Sequence, residues 1–265
     1  MRVHHLNCGT MTPTTIGRLV CHVLLCETND GLLLVDSGFG VSDCEKHSRV
    51  GPVRFVSAPK FDASESALRQ VEAMGHSASD VRHIVITHFH HDHIGGVSDF
   101  PDATIHATRA EWDVANKPPR GAPRLPYSKA QWAHGPKMRT YDGAGEPWQG
   151  FDTAYPIDGV DGVALVPMPG HTAGHALVAV DADERGWMLH VGDATFDRGS
   201  IAIESDSAND KKNRPTVKLF EQIAAQDRSR IAPNHRRLIE VRAAGTATVI
   251  PAHDAVIYDR LATSR

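Results

Sequence analysis

Thr87-His88-Phe89-His90-His91-Asp92-His93-Ile94-Gly95-Gly96 is the stretch on which the fold turns. It reads H-x-H-x-D-H and puts four ligand-capable side chains within six residues. Burying unpaired imidazole and carboxylate groups in an apolar core is costly. A loop at a strand end resolves the conflict, with His88 and His90 facing one cation and Asp92 and His93 another. Gly95-Gly96 permits a sharp turn and close backbone approach. The run His83-Ile84-Val85-Ile86-Thr87 just before it has the character of a short buried strand.

Three more segments repeat this arrangement, each placing a ligand type just past a predicted strand end. Pro169-Gly170-His171-Thr172-Ala173-Gly174-His175 follows a strand ending near Met168. Gly192-Asp193 follows the strand 187–191. His253 follows the last strand, Thr248-Val249-Ile250. Strand ends gathered at one rim can converge on a single metal centre, since ligand type and spacing agree. His175 is expected behind His171, holding its loop. His91 is expected to face a pocket or the outside. Of the 17 histidines, His4, His5, His22, His47, His76, His106, His134, His190 and His235 are read as ordinary core or surface residues.

The rest of the pattern is mixed α/β. Strands at 19–26 and 32–36 flank Asn29-Asp30-Gly31, a hairpin turn signal. Residues 64–74 carry Leu68, Val71 and Met74 at helical spacing, with Gly75 as a stop. A strand at 104–106 leads into a helix through Trp112. Residues 117–150, rich in Pro, Gly, Lys and Arg, read as either an irregular surface excursion or a lid over a pocket. Strands resume at 160–167, 176–181 and 187–191, and 197–214 is a second polar excursion. A helix at 215–226 is expected to show Val217, Phe220 and Ile223 on one face, while 227–246 is polar and left without an element. Two strand-rich halves, each with helices, predict two packed sheets covered by helices in one domain over 1–265.

Composition narrows the class. The chain has 28 Lys and Arg against 32 Asp and Glu, a net charge of -4, and 41% hydrophobic residues. No strong attraction to nucleic acid or membrane is expected from that balance. Cys8, Cys21, Cys26 and Cys44 form no C-x-x-C pair and read as free thiols in a reducing compartment. No apolar run of signal-peptide or membrane-spanning length occurs, so a cytoplasmic protein acting on a small molecule, as monomer or homodimer, is expected.

These motifs, with Val35-Asp36-Ser37-Gly38 at a strand end, resemble the metallo-β-lactamase superfamily over residues 35–253. The resemblance implies a four-layer αββα sandwich. It implies one metal on His88, His90 and His171, a second on Asp92, His93 and His253, and Asp193 bridging them, with Asp36 behind the ligands. A bridging Asp resembles the hydrolases of thioesters, lactones and phosphoesters rather than true β-lactamases. His90 in place of Glu differs from the flavodiiron oxygen reductases. The 12 residues after His253 leave no room for the helical domain of glyoxalase II or for the nuclease branch's extension.

The N-terminal layout and the Pro169–His175 turn most resemble the N-acyl-homoserine lactone lactonases. One position departs: those enzymes usually carry, three residues after the bridging Asp, a Tyr whose hydroxyl meets the substrate carbonyl, and here Phe196 stands there. The expected chemistry is a dinuclear, metal-dependent hydrolysis. Two divalent cations about 3.5–4 Å apart hold a bridging hydroxide that attacks an ester or lactone carbonyl. Asp92 orients it and later passes a proton to the leaving group. Zn²⁺ suits the nitrogen and oxygen ligands, as do Fe, Mn and Co. Phosphodiester or phosphotriester hydrolysis, and metal binding without catalysis, are the alternatives.

Overall fold

The computed structural model describes residues 1–263. Among the described residues, twelve strands are arranged in two six-stranded sheets. The first takes β1 (Arg2–Met11), β2 (Leu19–Thr28), β3 (Gly31–Val35), β4 (Val81–Val85), β5 (Thr104–Thr108) and β6 (Lys137–Tyr141) in sequential order. The second has the order β12-β11-β10-β9-β8-β7, from β7 (Glu146–Trp148), β8 (Phe151–Pro156), β9 (Val163–Pro167), β10 (Ala176–Asp181), β11 (Trp187–His190) and β12 (Thr248–Ile250).

Side-chain alternation along the strands makes the layers, because successive residues point to opposite faces. In β3, Leu33 and Val35 join the core between the sheets, while Leu32 and Leu34 face the other way. In β10, Val178 and Val180 face inward, while Leu177 and Ala179 pack outward. The outer face of the first sheet is covered by Val71 of the helix Ala67–Ala73 and by Phe89 and Trp112. The outer face of the second is covered by Leu238 and Val241 of the helix Ile231–Ala244. The result is the four-layer αββα sandwich.

Strand direction positions the site. β3, β4, β5 and β6 run parallel, so their C-terminal ends open on one rim. β11 and β12 are also parallel, which brings the segments after His190 and Ile250 side by side. The β2–β3 hairpin closes through Asn29-Asp30, with Gly31 at φ 101°.

Some expected elements differ. Residues 227–246 contain the 14-residue helix Ile231–Ala244, ended by Gly245 in the left-handed conformation. Pro233 lies in its first turn, where no intrahelical N–H bond is lost. The stretch 117–150 supplies β6 and β7 as well as irregular backbone. In the helix Pro215–Ala224, Val217 and Glu221 form the buried face, and Ile223 points to solvent at 63% exposure.

Candidate metal centre

The rim gathers His88, His90, His171 and Asp193 into one group, and Asp92, His93 and His253 into a second. All seven are buried. Each group's ligand atoms lie within 4.8 Å of one another. The Asp193 carboxylate stands between the groups. Its Oδ2 is 3.1 Å from His171 Nε2 and 3.6 Å from His88 Nε2. Its Oδ1 is 2.9 Å from His253 Nε2 and 3.3 Å from His93 Nε2. Asp92 Oδ2 is 3.5 Å from His253 Nε2.

Groups behind this cluster set which ring nitrogens face it. Asp36, left-handed at φ 59°, accepts from Thr87 N–H at 2.8 Å and from His93 Nδ1–H at 2.8 Å. His253 donates Nδ1–H to Val20 O at 2.8 Å. Both rings therefore turn Nε2 inward. His175 accepts from Asp193 N–H at 3.1 Å and donates Nδ1–H to Met168 O at 3.2 Å, joining two loops from behind. Asp254, next to His253, accepts Arg198 Nη1–H on both oxygens at 2.9 Å and accepts Val256 N–H and Ile257 N–H.

Electrostatics follow from this crowding. Burial opposes charge on His93, yet Asp193, Asp36 and Asp92 outweigh it and hold its pKa well above the ordinary value. Burial, reinforced by neighbouring imidazoles, holds His88 and His90 well below it. Burial alone would raise Asp193, but His253, His93, His171 and His88 hold it well below the usual carboxylate range. His88 Nε2, 3.6 Å from Asp193 Oδ2, is buried with no hydrogen-bond partner among the described residues. Orphaned buried nitrogens are rare because they are costly. Here His88 Nε2 meets His90 Nδ1, His171 Nε2 and the Asp193 carboxylate, a donor set that fits divalent cations.

Glu111 is a residue the sequence pattern did not single out. It is fully buried. Its Oε1 accepts Phe89 N–H at 2.9 Å, between His88 and His90, and its Oε2 accepts Thr172 Oγ–H at 2.5 Å, beside His171. One carboxylate thus ties the two loops together. Thr108-x-x-Glu111 has the form of a helix capping box. Thr108 Oγ1 does cap Glu111 N–H, but the Glu111 carboxylate reaches away to the loops instead.

A cavity of about 60 Å³ opens over the cluster. Met11, Leu19, Val53, Val56, Phe196 and Phe220 give it apolar walls, with Asp92, Asp193, His171 and His253 at its base. Phe196 lies 5.7 Å from the His171 ring and 5.3 Å from that of His253, centroid to centroid. His91 also lines the cavity, its Nε2 3.1 Å from Ser57 Oγ. Tyr127 packs edge-on against His90 at 4.7 Å. A larger cleft of about 790 Å³ beside Met1–Leu6 and Ala182–Arg185 contains none of the seven clustered residues.

Two sheets packed face to face, with imidazoles and carboxylates at their common rim, define a metallo-hydrolase. Residues 16–253 match the metallo-beta-lactamase superfamily, and the chain belongs to that family. It is 48% identical over 262 residues to the probable metallo-hydrolase Rv2300c of Mycobacterium tuberculosis, covering 97% of this chain and 82% of that one. It is 26% identical over 199 residues to an N-acyl homoserine lactonase of Bacillus cereus, covering 74% and 72%. Its fold is shared with a solved N-acyl homoserine lactone hydrolase carrying the product N-hexanoyl-L-homoserine at its catalytic metal center. That match has a TM-score of 0.73 at 20% identity, covering 98% of this chain and 95% of that one.

Proposed function

We propose that the chain hydrolyses a neutral carboxylic ester or lactone, with N-acyl-homoserine lactones as the first substrates to test. In this reading two divalent cations, zinc in the first instance, are held by His88, His90 and His171 and by Asp92, His93 and His253, with Asp193 shared. When bound, such a pair supplies hydroxide at neutral pH and polarises the scissile carbonyl. Asp193 turns one oxygen toward each group, and this division is the observation that carries the dinuclear reading. Asp36 and Val20 O fix the ring tautomers of His93 and His253. Asp92 reaches the cavity wall, where its carboxylate takes a proton from the attacking water and returns it to the leaving alkoxide.

The cavity favours an ester over a phosphodiester. Among the described residues no Lys or Arg lines it, and its walls are largely apolar. A neutral acyl group fits such walls, whereas an anionic phosphodiester loses hydration there without gaining a cationic side chain. Phe196 leaves the cavity without a phenol at that position. The unpaired thiols support a cytoplasmic location. We take 1–265 as one domain in which the 117–150 excursion, with Pro126 on the cavity wall, supplies the lid.

The test is a panel of acyl homoserine lactones, aryl esters and aryl phosphoesters on metal-replete protein, with elemental analysis of protein purified without chelator. Lactone or ester turnover, lost together with bound metal in His88→Ala and Asp193→Ala, is expected. Turnover of phosphoesters alone, turnover surviving metal removal, or bound metal with no turnover of any member would overturn the reading.

A further inference from the structure

The surface around the cavity mouth combines two properties that the whole-chain composition conceals. Three segments that wall the cavity also carry large apolar side chains turned to solvent. Phe55 is 77% exposed beside Val56, Leu125 is 47% exposed beside Pro126, and Leu219 and Ile223 are 59% and 63% exposed beside Phe220. Leu219 and Ile223 are four residues apart and share the outward face of their helix, opposite buried Val217 and Glu221. Soluble surfaces scatter single apolar residues, but a patch around a functional opening marks an interaction site.

Two of these segments are basic. Residues 117–129 hold Lys117, Arg120, Arg124 and Lys129 with no Asp or Glu, and residues 211–220 hold Lys211, Lys212, Arg214 and Lys218 with none. These eight cations sit in a chain whose net charge is -4. Arg120, Arg124, Lys129, Lys211 and Lys212 are exposed. Arg54 stacks its guanidinium 4.2 Å from the exposed Phe55 ring, which places charge and apolar surface together. A second copy docked on this patch through a two-fold axis would set cation against cation.

We propose that the cavity mouth docks on an anionic lipid bilayer, with Phe55, Leu219 and Ile223 entering the interface and the 117–129 and 211–218 cations meeting the headgroups. Exposed apolar side chains supply burial at the headgroup–acyl boundary, and flanking cations supply attraction to anionic lipid. The expectation of no membrane partner rested on mean charge, and the mean hides this asymmetry. The surface lies outside the cluster of histidines and aspartates, so its test is independent of turnover.

The experiment is vesicle flotation of the intact protein. Vesicles of phosphatidylcholine with about 30% phosphatidylglycerol are compared with phosphatidylcholine alone, at about 0.1 M and about 0.5 M salt. Binding to the anionic vesicles only, weakened about tenfold or more by the added salt, is expected. Arg120→Ser with Arg124→Ser should weaken it roughly twenty-five-fold, at about fivefold per cation. Phe55→Ser with Ile223→Ser should weaken it about tenfold or more. All four positions are exposed, and unchanged melting temperatures verify folding. Three results would overturn the proposal: no binding to anionic vesicles, binding untouched by both pairs of substitutions, or a concentration-dependent dimer that Phe55→Ser with Ile223→Ser dissolves.

Discussion

Replacing Glu111 by Ala removes a fully buried carboxylate that joins the 88–93 and 171–175 loops. At least two hydrogen bonds are lost, accepted from Phe89 N–H at 2.9 Å and from Thr172 Oγ–H at 2.5 Å. Bonds to a charged group contribute about 1.5–3 kcal/mol each, and the buried Phe89 N–H is left without a partner. Burial raises the Glu111 pKa, against the Thr172 and Phe89 bonds that lower it, so part of that gain is already spent on desolvation. A net cost of about 3–5 kcal/mol follows. For a chain of this size it lowers the melting temperature by roughly 10 °C. Glu111→Gln keeps an acceptor for Phe89 N–H and offers an amide N–H to a rotated Thr172 hydroxyl, so it should cost only about 1 kcal/mol. Calorimetry on both variants, with bound metal measured alongside, tests the idea. Because His88 and His90 flank Phe89, Glu111→Ala should also lower metal affinity. If it melts within about 2 °C of the parent and binds metal equally, Glu111 does not hold the loops.

Phe196→Tyr adds a hydroxyl at the cavity wall near His171 and His253. A gain of about tenfold or more in kcat/KM on acyl lactones is expected if it reaches the substrate carbonyl, and an unchanged value in steady-state assays counts against that geometry. Gly174→Ala puts a methyl group 2.0 Å from the Glu111 backbone nitrogen, which cannot move aside as a flexible side chain would; a melting drop of several degrees is expected by differential scanning fluorimetry. His106 is held down to about 4, first by burial and then by His83, while it bonds the Tyr141 hydroxyl at 2.8 Å. Its folded pKa lies below the unfolded value, so the unfolded chain binds the proton first. Its stabilisation is therefore present above about pH 6.5 and is lost as pH falls toward about 4. The melting-temperature gap between the parent and His106→Gln should shrink across that window, and a gap constant with pH would refute the assignment.

Much of the fold was legible because its signals are local. Asn29-Asp30-Gly31 specifies a hairpin through turn geometry alone, and H-x-H-x-D-H concentrates more ligand groups than a core tolerates. The rim was legible for a related reason: each ligand type follows an apolar, strand-like run. What escaped detection depends on tertiary context. Glu111 looks like a capping residue until the fold brings Phe89 and Thr172 to it. The helix Ile231–Ala244 buries only Leu238 and Val241, too few apolar positions to betray its period, and Pro233 near its start reads as a breaker. Ile223 fits a helical stripe with Val217, yet the core takes Val217 and Glu221 instead. The charged mouth is invisible to a summed charge.

The pairing of β12 alongside β11 has a consequence for the order in which the molecule is made. The first sheet uses residues up to Tyr141 and can close while the rest of the chain is still inside or near the ribosome. His253 follows His93 by 160 positions. At about 5–20 residues per second, roughly 8–30 s separate the two histidines during synthesis. Through that interval Asp92 and His93 wait at an unfinished edge, and a nascent chain that stalls before Ile250 carries half of a cation trap. Completion of the second ligand group thus waits on the making of β12.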